Sequence, residues 1–415
     1  MGPLIFNTQA PTIMHIDINS CFATIEQQLN PTLRGRPIAV AAYPTASGCI
    51  LAPSREAKKL GVKTGMRVRD GKKLCPELII LTPHPNAYRQ VHLQFRKLIS
   101  NYTAEFDPKS IDEFVLKLTD YPILRDHTMG EVAKEIKKRI KSDIGEWITV
   151  SIGIASNRFL AKVASGLHKP DGLDEITKDN YMTVFSNLKL TDLCGIKTRS
   201  AIRLAVMGIY SAADFYNAPL WKLKAAFASV AGYYWYLRLK GYEIDDFDTV
   251  RKSFGNSYAF PKPLTTPEEI SPILSKLVEK MGFRLREVGY KAKGVHLAIS
   301  FRDGSFWHQG ALAAKILYDS RDFYKEAYRL LLKCPQLKPV RDMSVTAFGL
   351  LKADFSQLNL FEDVEKREKL VNSTDKINNR WGNFTISPAR MINMDNQIVD
   401  RISFGGIREL QYHPL

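Results

Sequence analysis

The chain has 415 residues, 45% of them hydrophobic and 25% charged, a composition that predicts a globular protein of about two to four domains. Its 59 Lys and Arg residues exceed its 43 Asp and Glu residues and give a net charge of +16. This excess favours a polyanionic partner, most often nucleic acid, although a basic globular protein without such a partner is the plain alternative.

The cysteines and the hydrophobic segments exclude two further classes of protein. The five cysteines are widely spaced and form no CxxC pair, which argues against a disulfide framework or a structural zinc site. The N-terminus lacks the regions of a signal peptide, and no apolar run reaches the ~18 residues of a transmembrane helix. We therefore expect a cytoplasmic protein that does not enter a membrane.

Strands and helices alternate through the first part of the chain, which indicates an α/β or α+β core. The segments with strand character are TIMHIDI, RPIAVAAY, KSIDEFVLKL and WITVSIGIAS. A helix capped by Asn19 or Ser20 follows the first strand. Helical spacing returns in NAYRQVHLQFRKLISNYTAEF and GEVAKEIKKRIKSDIG, and short basic helices with Gly turns are predicted in SREAKKLGVKTGMRVRDGKKLCP.

The composition changes near residue 180. Short helices separated by Gly and Asn follow, and KGYEIDDFDTVRKSFGNS then has the charge pattern of a linker. Residues 250–350 contain 17 Lys and Arg against 9 Asp and Glu, with the β-prone stretches GVHLAISF and VRDMSVTAFGLL. The sequence therefore predicts a separate basic module, followed by a charged tail with helical character.

Three carboxylates stand at predicted strand ends. Asp17 closes the first strand, and Asp112 and Glu113 are adjacent in KSIDEFVLKL. If the two strands are neighbours, these carboxylates converge and offer the oxygen ligands that Mg²⁺ or Mn²⁺ prefers. Consecutive strand residues point to opposite faces, so Asp112 and Glu113 can share a site only at a bend or a strand end. From the spacing alone, a surface Asp–Glu pair is the more ordinary interpretation.

Two basic segments suit a phosphate group near such carboxylates. In VSIGIASNRFLAKVASGLHKPDG, a strand leads into a helix that carries Lys162, and Lys169 lies in the turn that follows. SREAKKLGVK places Arg55 and Lys58 on or near one helical turn. Such cations can neutralise a triphosphate. An exposed turn lysine and a solvated basic helix face are the alternatives.

The chain contains, in this order, the motifs HIDINSCFA, SIDE, GIASNRFLAKVAS…HKPDG and RKSFGNS. Their order and spacing resemble those of the Y-family (translesion) DNA polymerases, and the resemblance covers roughly residues 12–410. The resemblance implies an α+β multidomain fold, in which palm, fingers and thumb form a right hand and a little-finger domain binds DNA. The implied parts are palm (1–20 and 84–178), fingers (21–83), helix-hairpin-helix-like thumb (179–243), little finger (250–350) and C-terminal tail (351–415).

The resemblance also assigns chemistry to the carboxylates. It implies Asp17, Asp112 and Glu113 as catalytic metal ligands, with the backbone carbonyl of Ile18 as a further ligand. The implied cofactor is two Mg²⁺ ions, with Mn²⁺ as a substitute. One ion would lower the pKa of the primer 3′-hydroxyl that attacks the α-phosphate of a dNTP, and the other would stabilise the leaving pyrophosphate.

Six residues are implied in binding the nucleotide: Ser20, Cys21, Phe22, Arg55, Lys58 and Lys169. Phe22 falls at the steric-gate position, where an aromatic ring beneath the sugar excludes a 2′-hydroxyl, and a plain core Phe is the alternative. Many family members have Tyr and Arg where this chain has Arg55 and Lys58. Lys58 therefore offers a point charge where Arg would offer a bidentate fork.

The motifs point to two branches of the family. Asn19 and GCILAPSREAKKLGVK are similar to the catalytic subunit of bacterial DNA polymerase V, which would imply accessory subunits. HKPDG is similar to bacterial DNA polymerase IV, which would act alone. The sequence leaves this choice open.

Two further segments imply macromolecular partners. The little finger is expected to hold primer–template DNA through its phosphates, without reading the base sequence. QLNLF, with Gln357, Leu358, Leu360 and Phe361 as contact residues, resembles the pentapeptide that binds the bacterial sliding clamp. Such a tether would raise the concentration of the polymerase at the primer end. An amphipathic linker is the alternative.

The implied function is template-directed, low-fidelity DNA synthesis in translesion synthesis and DNA damage tolerance. A catalytically weak or inactive relative that acts as a clamp-bound scaffold is the second interpretation, and the altered REAK segment keeps it open. A different two-metal enzyme, such as a nuclease or a nucleotide cyclase, is the third. The little-finger and clamp-like segments argue against that third interpretation, because neither chemistry needs them.

Overall fold

The computed structural model describes residues 4–247, 250–352, 364–394 and Ile398. The described residues divide into two compact units, the first up to residue 247 and the second from residue 250 onward. This boundary falls within the segment predicted as a linker. In the described ranges, the structure contains no helix with the length and apolar character needed to span a membrane.

The first unit contains a five-stranded sheet and a three-stranded sheet. Its strands are β1 (Ile13–Ile18), β2 (Ile38–Ala41), β3 (Ile50–Pro53), β4 (Ile79–Leu81), β5 (Phe106–Pro108), β6 (Glu113–Lys117), β7 (Val150–Ala155) and β8 (Leu173–Glu175). The strand orders are β5-β6-β1-β7-β8 and β3-β2-β4. β1 lies in the middle of the larger sheet and is antiparallel to both of its neighbours.

Helices cover both faces of the larger sheet. The helices of this unit are α1 (Cys21–Leu29), α2 (Arg55–Lys59), α3 (Val68–Leu74), α4 (Pro85–Ile99), α5 (Met129–Arg139), α6 (Arg158–Leu167), α7 (Tyr181–Ser186), α8 (Thr198–Val206), α9 (Ala212–Asn217), α10 (Leu220–Phe227) and α11 (Ala231–Leu239). Met14, Ile16 and Ile18 of β1 share a core with α1, α4 and α5, whereas Ile13 packs with α6. Because strand side chains alternate, His15 and Asp17 share the α6 side with Ile13.

The second unit contains a four-stranded antiparallel sheet of order β11-β10-β12-β9. Its strands are β9 (Ser253–Ala259), β10 (Tyr290–Phe301), β11 (Phe306–Leu317) and β12 (Val340–Lys352). Its helices are α12 (Pro267–Glu287), α13 (Ser320–Leu332) and α14 (Val364–Trp381). Alternate residues of β10, such as Val295, Leu297 and Ile299, are buried in the core shared with α12 and α13.

Three predicted boundaries are wrong. The helical segment predicted through residue 106 ends earlier, because α4 stops at Ile99 and β5 begins at Phe106. The strand predicted over KSIDEFVLKL begins at Glu113, because the backbone N–H groups of Lys109 and Ser110 both donate to the carbonyl of Glu113 and close a turn. The last residues of the segment predicted as a linker belong to strand β9, which starts at Ser253 and pairs with β12.

Candidate active site

Three carboxylates meet at one end of the larger sheet. Asp17 and Glu113 are opposite residues of the antiparallel pair β1–β6, so their side chains lie on the same face. Asp112 precedes β6, and its carbonyl accepts a 2.9 Å hydrogen bond from the backbone N–H of Ile18. Because Asp112 lies outside the regular strand, the alternation of side chains does not apply to it, and its charge interacts with those of Asp17 and Glu113.

His15 is a neighbour of the carboxylates that sequence analysis missed. It is two residues before Asp17 on β1, and its side chain is buried. One ligand atom each of His15, Asp17 and Glu113 lies within 4.8 Å of the others. The i, i+2 spacing of His15 and Asp17 in a strand was a usable signal, because it places both on one face.

The imidazole of His15 is uncharged at neutral pH and lines the site. Burial lowers the pKa of His15 to about 4, against the opposing charge of Glu113. Its Nε2 atom lies 3.8 Å from Oε2 of Glu113. Neither ring nitrogen has a hydrogen-bond partner among the residues that the structure describes.

Two lysines reach the carboxylates from the α6 side. Lys162 Nζ lies 2.5 Å from Oε2 of Glu113, and Lys169 Nζ lies 2.6 Å from Oδ1 of Asp17. Helix α6 can bring Lys162 this close because β7 carries Gly153 beneath it. A Cβ atom there would lie 2.1 Å from the carbonyl oxygen of Ala161. The missing side chain therefore sets the approach of helix to sheet.

The acids differ in how well their charge is compensated. Burial raises the pKa of Asp17 despite Lys169, and burial also raises the pKa of Asp112, although its carboxylate accepts a 2.5 Å hydrogen bond from Ser110 Oγ. Burial acts on Glu113 as well, but the hydrogen bond and charge of Lys162 outweigh it and lower the pKa of Glu113. Two carboxylates thus remain under-compensated by protein cations.

This donor set fits a hard divalent cation. Carboxylate and carbonyl oxygens are the ligands that Mg²⁺ and Mn²⁺ prefer. Asp17, Asp112 and Glu113 carry carboxylates, and the backbone carbonyl of Ile18 follows Asp17 at the end of β1. Burial raises the pKa values of Asp17 and Asp112, and a bound cation would favour their ionised forms.

Phe22 stacks on Tyr88, and Tyr88 is fixed in turn by a hydrogen bond to Glu26. It is 7% exposed, and its ring stacks on that of Tyr88, with centroids 4.4 Å apart and planes at 13°. The hydroxyl of Tyr88 donates to the buried carboxylate of Glu26, which also bonds His84 Nδ1 at 2.8 Å. Sequence analysis missed Tyr88 because α4 brings it to Phe22 from 66 residues away.

The start of α1 borders the carboxylates. Ser20 caps the helix in a left-handed conformation, with φ of 52°, and its side chain makes no capping hydrogen bond. Cys21 is buried, and its pKa is raised well above the usual value by burial and by the charges of Asp112 and Asp17. Cys21 is therefore a neutral thiol at the edge of the site.

Lys58 and Arg55 have different surroundings. Burial and the charge of Lys169 lower the pKa of Lys58, and Asp17 and Asp112 oppose this effect. Lys58 is thus electrostatically part of the carboxylate–lysine site. The guanidinium of Arg55 instead lies over the ring of Trp147, 5.4 Å from its centroid. Trp147 was also missed by sequence analysis.

Gln357, Leu358, Leu360 and Phe361 of the clamp-like segment all lie outside the described residues. The interpretation of this segment therefore rests on the sequence alone.

One known protein family matches two long stretches of the sequence. Residues 16–166 match the impB/mucB/samB family, and residues 251–360 match the C-terminal domain of that family. The first match spans the carboxylates, α1 and most of α6, and the second lies within the second unit up to residue 360.

Named relatives extend over nearly the whole chain. DNA polymerase IV of Pelotomaculum thermopropionicum is 32% identical over 90% of this chain and 94% of its own length. DNA polymerase IV of Moorella thermoacetica is 33% identical, covering 91% and 95%, and DNA polymerase IV 1 of Bacillus subtilis is 31% identical, covering 89% and 90%.

A solved structure shares the fold. It is the Y-family DNA polymerase chimera Dbh-Dpo4(243-245)-Dbh, which superposes with a TM-score of 0.72 at 25% sequence identity. The match covers 82% of this chain and 99% of the chimera.

Proposed function

This chain belongs to the Y-family DNA polymerases, of the polymerase IV type, and we propose that Asp17, Asp112 and Glu113 carry its catalytic chemistry. As a translesion DNA polymerase, it adds dNTPs to the 3′ end of a primer. The observation that supports this assignment is that Asp17 and Glu113 lie close together with a lysine on each, and that the charge of Asp112 acts on Asp17.

The carboxylates would hold two Mg²⁺ ions together with the Ile18 carbonyl. Bound there, Mg²⁺ supplies Lewis-acid stabilisation of the attacking 3′-oxygen and of the leaving pyrophosphate. The chain itself fixes the ligands on a rigid sheet, since Asp17 and Glu113 are paired strand residues. Lys162 keeps Glu113 ionised and ready to ligate, because it lowers the pKa of that carboxyl against the effect of burial.

Lys169 and Lys58 would bind the triphosphate. Lys169 lies beside Asp17, and Lys58 interacts electrostatically with both Lys169 and Asp17. A polyanion at this place would relieve the repulsion between the two lysines. Arg55 contributes less to this proposal, because Trp147 engages its guanidinium.

Phe22 would act as the steric gate, with Ser20 and Cys21 lining the nucleotide pocket beside it. The proposal is supported by the fixed ring of Phe22, which stacks on Tyr88. A ring anchored in this way can reject a 2′-hydroxyl, since it cannot move aside without losing that stacking.

The parts of the hand are proposed as palm (1–20 and 84–178), fingers (21–83), thumb (179–243), little finger (250–350) and tail (351–415). The little finger would hold primer–template DNA by its phosphates, which its 17 Lys and Arg against 9 Asp and Glu support. The names of the relatives favour the polymerase IV branch, which would act without accessory subunits. Gln357, Leu358, Leu360 and Phe361 would bind a sliding clamp, as QLNLF suggests.

Primer extension on an undamaged template with Mg²⁺ and all four dNTPs tests the assignment. We expect extension by the wild type and by the control Asp143→Ala, which removes an exposed carboxylate paired with Arg139. We expect none by Asp112→Ala, with unchanged affinity for primer–template. Extension by Asp112→Ala would refute the ligand assignment. Failure of all three proteins with DNA binding intact would instead favour a scaffold.

A further inference from the structure

The turn that carries Lys169 is tied to the start of α1 by one buried side chain. Asn19 lies between β1 and α1 and is 4% exposed. Its Oδ1 accepts a 2.8 Å hydrogen bond from the backbone N–H of Asp171. Its Nδ2 donates a 2.9 Å hydrogen bond to Ser151 Oγ on β7. One amide therefore connects the turn after α6 to two different segments of the core.

The same turn is held from two further sides. Ser151 Oγ, which is fully buried, accepts a 3.3 Å hydrogen bond from the backbone N–H of Gly172. Lys137 Nζ donates to the carbonyls of Asp171 and Gly172, at 2.6 and 3.3 Å. Lys169 leaves this anchored turn toward Asp17. The backbone of the turn is thus fixed by these hydrogen bonds, and the position of the backbone determines where the side chain of Lys169 lies.

We propose that Asn19 is a positioning residue that orients Lys169 for binding of the nucleotide triphosphate. This inference rests on the proposed function, in which Lys169 contacts the triphosphate. The two hydrogen bonds of the Asn19 side-chain amide go to Ser151 and Asp171, which are not proposed metal ligands. It acts through the backbone of residues 171–172, and an amide suits the place because it donates to one partner and accepts from the other.

The effect should appear in nucleotide affinity. A turn without its inner anchor samples more orientations, so Lys169 meets the triphosphate in a smaller fraction of complexes. Asn19→Ala should raise the KM for dNTP roughly 5- to 20-fold, with a smaller change in kcat. Asn19→Asp keeps an acceptor for the N–H of Asp171 and should stay within about 3-fold of the wild-type KM.

A double-mutant cycle on the full chain separates positioning from general damage. Single-nucleotide incorporation would be measured for the wild type, Asn19→Ala, Lys169→Ala and the double variant, with DNA affinity measured in parallel. We expect Asn19→Ala to raise the KM in the wild-type background and to add almost nothing once Lys169 is gone. The control Asn30→Ala, which removes an exposed turn asparagine, should leave the KM unchanged.

Each outcome decides between the two levels of the proposal. If Lys169→Ala leaves the KM unchanged, the triphosphate role of Lys169 fails, and the role of Asn19 fails with it. If Lys169→Ala raises the KM but Asn19→Ala does not, the positioning role of Asn19 is refuted and the triphosphate role of Lys169 stands. The same conclusion follows if the effects of the two substitutions on KM multiply in full. Should Asn19→Ala not fold, Ser151→Ala replaces it, with an expected rise of roughly 2- to 5-fold that again vanishes without Lys169.

Discussion

At the scale of single residues, the site combines carboxylates in opposite electrostatic states. Burial raises the pKa values of Asp17 and Asp112, whereas Lys162 lowers that of Glu113. A raised pKa means that the folded protein without metal disfavours the ionised carboxylate relative to the unfolded chain. The ligands are therefore arranged for a cation and at some expense to the stability of the metal-free protein.

Asp112→Asn should stabilise the metal-free protein at pH 7 while abolishing activity. The substitution removes a poorly compensated charge and keeps an acceptor for Ser110. The melting temperature in EDTA should rise by roughly 2–4 °C per kcal/mol gained. The gain should shrink as the pH falls through the raised pKa of Asp112, since the wild-type carboxyl is then neutral as well.

Glu113→Gln is the matched contrast for that measurement. Its pKa is lowered, so its charge contributes stability above the usual carboxyl pKa, and the contribution is lost as the pH falls. The substitution should lower the melting temperature in EDTA at pH 7. Equal shifts of the same sign for Asp112→Asn and Glu113→Gln would contradict the assignment of their charge states.

Phe22→Ala should weaken discrimination against ribonucleotides by roughly 10- to 100-fold, because the ring that would clash with a 2′-hydroxyl is gone. Competition between a dNTP and its rNTP in single-nucleotide incorporation measures this. Tyr88→Phe is the control, since it keeps the ring that stacks on Phe22 and removes only the hydroxyl bonded to Glu26. Unchanged sugar selection in Phe22→Ala would rule out the gate.

Sequence analysis found some of these residues and missed others for a physical reason. Asp17, Asp112 and Lys169 stand in short motifs whose chemistry is visible locally. Tyr88 and Trp147 act through contacts that only the fold creates. Tyr88 stacks on Phe22, and Trp147 lies under Arg55, and both partners are distant in the sequence.

At the scale of elements, helix α14 is attached to the second unit by polar groups. None of its residues is buried. Arg286 of α12 makes hydrogen bonds of 2.6 and 2.9 Å to Asp375, and Lys291 Nζ lies 2.6 Å from Glu368. Farther along the chain, Met391 and Met394 join the core of the unit. Helical character of the tail was predictable, but its ion-pair partners on distant elements were not.

Asp375→Ala should destabilise the second unit by about 1–3 kcal/mol, because the guanidinium of Arg286 is 4% exposed and would lose its carboxylate. Calorimetric unfolding of the full chain measures this. Glu365→Ala is the control from the same helix, since its pair with Lys369 is exposed on both sides and should be worth about 0–1 kcal/mol. Equal effects of the two substitutions would show that α14 is not held by its buried-side ion pairs.

At the scale of the whole molecule, the sequence predicted the family and the mixed fold, and the two compact units separate within the segment predicted as a linker. It left polymerase IV against polymerase V open, because Asn19 and REAK point one way and HKPDG the other. Motifs of a few residues cannot outweigh one another, whereas similarity over 90% of the chain can.

The net charge of +16 predicts that primer–template affinity falls steeply with salt. The log–log slope should be roughly −0.7 to −0.9 for each phosphate neutralised, because bound counterions are released. Equilibrium binding of the full chain at several salt concentrations measures the slope. A flat response would contradict a grip on the DNA backbone.

Counting divalent ions in the assembled complex tests the central claim most directly. The full chain would be mixed with a dideoxy-terminated primer–template and the next dNTP, and bound Mn²⁺ would be counted by electron paramagnetic resonance. We expect two Mn²⁺ per wild-type complex and for the control Asp143→Asn, and at least one fewer for Asp17→Asn and Asp112→Asn. Two Mn²⁺ retained by both of those variants would contradict a metal site built from these carboxylates.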